Sequence, residues 1–133
     1  MGVGCAYPRP MESSDCVVAI VDDDVAVRRA LGRLVRSLSY EPVAYESGER
    51  FLARLDEDTP FCVVLDQHMP GLNGLEVLIA MRERGSQAPV VIVTGLDRPG
   101  MSEKCLNAGA AAYLTKPVDR SSMRSAIEAA TAK

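Results

Sequence analysis

Three consecutive aspartates, Asp22, Asp23 and Asp24, follow the apolar run VVAIV at residues 17–21. A fourth, Asp66, ends the run CVVL at 62–65; Thr94 ends VVIV at 90–93, and Thr115, Lys116 and Pro117 follow AYL at 112–114. Two ionised carboxylates about 4 Å apart repel by roughly 4 kcal/mol at an effective dielectric of 20. Asp22 and Asp23 therefore call for a cation, and Mg²⁺ suits them. It prefers oxygen ligands, needs few protein groups and keeps waters that a phosphate can replace. Asp66 can be a nucleophile, a metal ligand or a turn residue. An ammonium and a hydroxyl beside it would meet phosphoryl oxygens. Together these groups are what Mg²⁺-dependent phosphorylation of an aspartate requires.

Each residue also has a plainer reading. Asp24 fits best as a cap at the start of the first helix, where a carboxylate favours the dipole. Thr94 can simply finish a β-branched strand, and Lys116 alone would be a solvated lysine. An X-Pro bond is where a cis peptide costs only ~0.5–1 kcal/mol, and a cis Lys116–Pro117 bond would aim the ammonium inward. His68 is the chain's only histidine. With no second histidine or cysteine nearby in sequence, it does not suggest a metal site of its own. Four complementary strand ends outweigh these separate readings.

The elements that must position these groups are legible from periodicity. Short apolar runs separated by helical patterns read as buried parallel strands. Ligands of such sheets bind beyond the strands' carboxyl ends. After the first strand, Val27, Leu31, Leu34, Val35 and Leu38 recur at helical spacing, and Tyr40 to Pro42 closes the segment. A short alternating strand over Val43 to Glu46 suits an edge. Ser47 caps a helix with Phe51, Leu52 and Leu55 on its apolar side, ended by Asp58-Thr59-Pro60. Gly74 opens a helix with Leu75, Leu78 and Ile79, which stops near Gly85. A weaker helix is expected around Met101 to Ala108, ended by Gly109. Asp119 caps a last helix carrying Met123, Ala126, Ile127 and Ala130. Five βα repeats fill the chain without room for a second domain, and a doubly wound sandwich is the simplest topology.

At 133 residues, with 47% hydrophobic and 25% charged residues, the composition is that of one soluble globular domain. A net charge of −3 gives no reason to expect direct nucleic-acid binding. Arg28, Arg29, Arg33 and Arg36 read as the solvated face of one helix. No apolar run is long enough for a membrane span, and the N-terminus lacks a signal-peptide core. Cys5, Cys16, Cys62 and Cys105 are widely spaced, which argues against a disulfide framework or zinc site and for a reduced, cytoplasmic protein. Cys62 and Cys105 read as small core residues. Residues 1–15 lack periodicity and are expected to form a flexible tail.

The blocks VAIVDDD, VVLDQHMPGLNG, VVIVTG and AAYLTKP, in this order and spacing, resemble the receiver domain of bacterial two-component response regulators. The resemblance covers about residues 16 to 132, and DRPGMSEKCLNAGA looks most like receivers of the FixJ type, which usually precede a LuxR-type DNA-binding domain. It implies a CheY-like, flavodoxin-like α/β fold over residues 16–133, with a five-stranded parallel sheet ordered 2-1-3-4-5 and five helices. It implies Asp66 as phosphoacceptor for a sensor histidine kinase, and Mg²⁺ held by Asp22, Asp23, Asp66 and the backbone carbonyl of His68. Asp23 would ligate directly and Asp22 mainly through water. Thr94 and Lys116 would bind phosphoryl oxygens, and Tyr113 would be the aromatic switch. The helix 4/strand 5 surface would then bind a partner or a second copy. His68 and Leu96 occupy places that flank the path of attacking water in this family. The chain ends after the fifth helix, as a stand-alone receiver or a fragment of a transcription factor would.

Three other functions fit less well. An aspartyl-phosphate phosphohydrolase needs an acid two residues after its nucleophile, where Asp66 has His68. A flavin module needs a Ser/Thr/Gly-rich turn after strand one, where three acids stand. A receiver-like domain that only binds partners would not need every site residue.

Overall fold

The computed structural model describes residues 16–57 and 59–132. The expected tail at 1–15 lies outside the described residues, as do Cys5 and Asp58. The described chain alternates strand and helix: β1 (Val17–Val21), α1 (Val25–Ser37), β2 (Glu41–Tyr45), α2 (Gly48–Leu55), β3 (Cys62–Asp66), α3 (Gly74–Glu83), β4 (Val90–Thr94), α4 (Met101–Asn107), β5 (Ala112–Thr115) and α5 (Arg120–Thr131). The strands are parallel in the order β2-β1-β3-β4-β5.

Strand alternation divides the core in two. Ala19, Val21, Val63, Leu65, Val90 and Ile92 face Phe51, Leu52, Val77, Leu78, Met81 and Cys105, so α2, α3 and α4 cover that side. Val18, Ile20, Cys62, Val64, Val91 and Val93 face Leu31, Val35, Met123 and Ile127 of α1 and α5. α2, with eight residues, is too short to persist alone. Burial of Phe51, Leu52 and Leu55, each side chain contributing about 1.5–3 kcal/mol, holds it in place. Side-chain caps fix most helix starts: Asp24 for α1, Ser47 for α2, Asp119 for α5, and for α3 a reciprocal Asn73–Glu76 capping box. α4 differs. Its cap position is Gly100 in left-handed backbone with no side-chain cap, and Cys105 is its one buried residue.

Several expectations need correction. β2 begins at Glu41, ahead of Val43, and contains Pro42. Proline's missing N–H is tolerated because β2 is an edge strand with one unpaired side. On α3 the buried positions are Val77, Leu78 and Met81, while Ile79 is exposed and Leu75 half-buried. GLEVLIAM is apolar on almost every side, so its periodicity does not single out a face. Cys62 and Cys105 are free and buried. Cys16 is disulfide-bonded, contrary to the expectation from spacing. Among the described residues, no helix is long and apolar enough to cross a membrane.

Candidate functional site

Val21 of β1 is level with Leu65 of β3, so the chain leaves both strands with an aspartate at the same height. Asp22 is fully buried and Asp66 is 3% exposed. Lys116, just past β5, reaches across the edge of the sheet. Its Nζ donates to Asp22 Oδ2 at 2.9 Å and to Asp66 Oδ1 at 3.1 Å. The Lys116–Pro117 peptide bond is cis. Asp22 Oδ1 accepts from the backbone N–H of Asp24 at 2.9 Å, and the Asp22 carbonyl accepts from Arg28 Nη1 at 2.7 Å. Asp22 is thus held at both ends of the residue, which fixes the floor of the site.

Asp23 is exposed beside this pair, and carboxylate oxygens of Asp22, Asp23 and Asp66 lie within 4.8 Å of one another. Three acidic oxygen donors and little else is a donor set that fits a hard cation such as Mg²⁺. Asp24 lines the same cleft as these acids but is engaged in capping α1: its Oδ1 accepts from the N–H groups of Ala26 at 2.8 Å and Val27 at 3.3 Å. The acids open onto a cleft of about 420 Å³ that His68, Leu96 and Lys116 also line.

Electrostatics at this edge follow from the packing. Burial, and then the charge of Asp22, push the Asp66 carboxyl above its usual range; the bonds from Lys116 and the His68 N–H pull it back only partly. Burial would lower the Lys116 ammonium, but its bonds to Asp22 and Asp66 outweigh that and hold it above its usual value. Lys116 therefore stays charged between two acids.

The loop after Asp66 is built to keep that carboxylate still. Gln67, 2% exposed, donates its backbone N–H to Val93 O at 2.9 Å, and its side-chain Oε1 accepts from Leu75 N at 2.9 Å. Gly74 packs so closely that a Cβ there would stand 2.7 Å from the Asp66 carbonyl oxygen. Glu49 of α2 accepts from the Leu72 N–H at 3.2 Å. Sequence reasoning missed Gln67 and Glu49. A polar side chain directly after a fully apolar strand was the available signal for Gln67; Glu49 had none, because its partner is 23 residues away.

The other two expected participants are turned away from the acids. Thr94 is buried, yet its Oγ1 donates to Leu96 O at 3.0 Å and accepts from Leu96 N at 3.1 Å. Tyr113 is half-buried, and its hydroxyl donates to Asp97 Oδ1 at 2.9 Å. Burial first, then that bond to Asp97, push the Tyr113 hydroxyl up to about 12. His68 also turns toward this segment. Its N–H lies 3.4 Å from Asp66 Oδ1, a long contact, while Nε2 donates to Leu96 O at 3.0 Å. The segment Leu96–Asp97 thus collects bonds from the loop after β3, from β4 and from β5.

A five-stranded 2-1-3-4-5 parallel sheet with an acid cluster and a lysine at its carboxyl edge defines a receiver-like signalling domain. Residues 18–128 match the response regulator receiver domain family, and the chain belongs to that family. It is 34% identical over 136 residues to the response regulator protein TodT of Pseudomonas putida, covering 96% of this chain and 60% of TodT. The chain therefore spans a little over half the length of that relative. Among solved structures, it is similar to the crystal structure of FixJ-N, with a TM-score of 0.81, 29% identity, and coverage of 86% of this chain and 92% of that one. It is also similar to the CheX-CheY-BeF3-Mg complex from Borrelia burgdorferi, with a TM-score of 0.82, 25% identity, and coverage of 88% and 90%. Response regulator receivers are a signalling family of two-component systems.

Proposed function

We propose that the domain, taken as residues 16–133, is a phosphorylatable switch in which Asp66 accepts a phosphoryl group from a sensor histidine kinase. The observation that carries this reading is the single ammonium, Lys116, bonded to both buried acids beside a three-carboxylate group. Asp66 Oδ would bond to phosphorus as the bond from phosphorus to the donor's imidazole nitrogen breaks, and the imidazole takes up a proton. Mg²⁺ held by Asp22, Asp23, Asp66 and the backbone carbonyl of His68 would neutralise charge on the acids and on the incoming group. Asp23 would ligate directly and Asp22 mainly through water. Lys116 orients a phosphoryl oxygen, and Thr94 supplies a hydroxyl once it leaves Leu96. The Borrelia CheY complex was solved with BeF3 and Mg, a phosphoryl mimic and the metal proposed here.

Movement of Thr94 is the step that reaches the surface. It frees space next to β5 for Tyr113 to swing inward, and residues 97 to 113 then change shape to bind a partner or a second copy of the chain. The domain acts as a catalyst only on itself. Incubation with acetyl phosphate and Mg²⁺ should add one phosphoryl group by intact mass, and none to Asp66→Asn. Unchanged labelling of that variant would overturn the assignment.

A further inference from the structure

We propose that the groove between α1 and the free edge of β2 is a docking site for an extended acidic segment of a partner protein. The segment adds to β2 as a further strand and sets its carboxylates against the arginines of α1. The phosphoacceptor role of Asp66 is not needed for it. β2 is an edge strand, and its hydrogen-bond pattern shows what it leaves unpaired. The Glu41 N–H donates to Cys16 O at 2.8 Å, and Tyr45 O accepts from the Asp22 N–H at 3.2 Å, so residues 41, 43 and 45 turn their backbone groups toward β1. Pro42 and Ala44 therefore turn theirs outward. Proline has no N–H, which leaves the two carbonyls and the Ala44 N–H, none with a backbone partner among the described residues. Such groups are a template for another strand.

The flank over these groups is basic. A groove of about 460 Å³ has Pro42 and Ala44 on its floor and Arg28, Arg29, Arg33 and Arg36 along its α1 wall, with no acid in its lining. Arg28 Nη1 donates to the Asp22 carbonyl, and the other three are exposed. Among the described residues none of the four makes an ion pair. Glu46 and Glu49, farther along the edge, are taken by Arg50 at 3.3 Å and by the Leu72 N–H. Gly32 stands in the middle of the α1 wall, where glycine is a poor helix former. It has no positive φ, and a Cβ there would come no closer than 3.9 Å to Pro42, so packing does not require glycine. Its missing side chain keeps the groove open for a chain to lie in. A second copy is a poor occupant, because pairing two β2 edges sets one arginine stripe beside another. The groove lies at the sheet edge opposite β5, so its occupant does not cover residues 97 to 113.

Fluorescence anisotropy of a labelled peptide alternating glutamate and threonine, added to the full 133-residue chain, tests this. The peptide should bind saturably, and more weakly as salt rises. Arg29→Glu combined with Arg33→Glu should weaken it about tenfold or more, since two attractions become repulsions. Gly32→Leu should do the same by filling the groove, while the thermal midpoint holds or rises, because leucine is the better helix former. In the complex the Ala44 amide should exchange more slowly than in the free chain. Absence of saturable binding, full affinity in the arginine variant, or unaltered exchange at Ala44 would overturn the proposal. So would equal affinity for a lysine–threonine peptide, or for oligodeoxythymidylate, which carries negative charge without ladder groups. If Gly32→Leu unfolds, the exposed arginine pair decides alone.

Discussion

The two halves of the cleft are in different states of readiness. At the ends of β1 and β3, Asp22 and Asp66 are both bonded directly to Lys116, which reaches over from the end of β5, and Asp22 is fixed further by Asp24 and Arg28. On the β4/β5 side, Thr94 and Tyr113 make no side-chain bond to these acids and are tied to Leu96 and Asp97. The reason is charge. Two buried carboxylates attract an ammonium whether or not phosphate is present, whereas a neutral hydroxyl takes the nearest carbonyl until a stronger acceptor arrives. On the function proposed, the acid half is assembled for chemistry and the hydroxyl half waits for its product.

The largest effect is expected from taking away the cation that joins the acids. Lys116→Ala should slow phosphorylation by acetyl phosphate by about 10²-fold, the scale of losing one well-placed electrostatic group. It should leave Mg²⁺ binding intact or tighter, because a competing cation is gone. A loss of Mg²⁺ affinity as large as that of Asp23→Asn would show that the halves are not divided as described. Next come the three acids, read by Mg²⁺ titration. Asp23→Asn should weaken binding about tenfold or more, since a unit charge beside a dication is removed. Asp22→Asn should cost less, and Asp24→Asn almost nothing, because its carboxylate is engaged in capping α1. If Asp24→Asn weakened binding most, the wrong acids would have been placed in the site.

The waiting half can be examined with a beryllofluoride mimic and Mg²⁺. Hydrogen exchange should change across residues 97 to 113, where α4 has a single buried residue and an uncapped start. Changes confined to the Asp66 loop would leave the chemistry intact and refute this route to the surface.

Smaller effects come from titration, and their signs differ in consequence. The folded-state pKa of Asp66 is raised, so its contribution to stability is present below the unfolded value and lost as pH rises through the folded one. At neutral pH its buried charge therefore opposes folding, and Asp66→Asn should stabilise the metal-free protein. A destabilised variant in urea melts would mean that Lys116 outweighs burial. The Tyr113 hydroxyl, pushed to about 12 from 10.0, contributes stability below pH 10 that is lost on the way to 12. Removing the bond in Asp97→Ala should bring it partway down, since burial, the larger cause, remains. Near-UV tyrosinate absorbance would register this.

Much of the acid half was legible in the sequence, because strand ends are local. An apolar run of three to five residues that gives way to a charged residue can hardly place that charge anywhere but the edge of a buried sheet, and Asp22, Asp66 and, one residue further on after Thr115, Lys116 follow this rule. Asp24 was legible too, since N-capping depends on neighbours two and three residues away. The start of β2 and the buried face of α3 were not. Pro42 reads as a terminator until an edge position makes its missing N–H harmless, and an all-round apolar helix has no preferred face until its neighbours supply one.

What the sequence determined by itself was the set of chemical groups and the edge they share, because alternating periodicities dictate a parallel sheet and a parallel sheet collects its strand ends. The tertiary structure decided which of those groups touch. Lys116 meets Asp22 across 94 residues and His68 meets Leu96 across 28. Glu49 secures the Asp66 loop from another helix, and Thr94 and Tyr113 face the β4–α4 loop and not the acids. Hydrogen bonds act over about 3 Å, so partners distant in sequence become neighbours only when the whole sheet is packed.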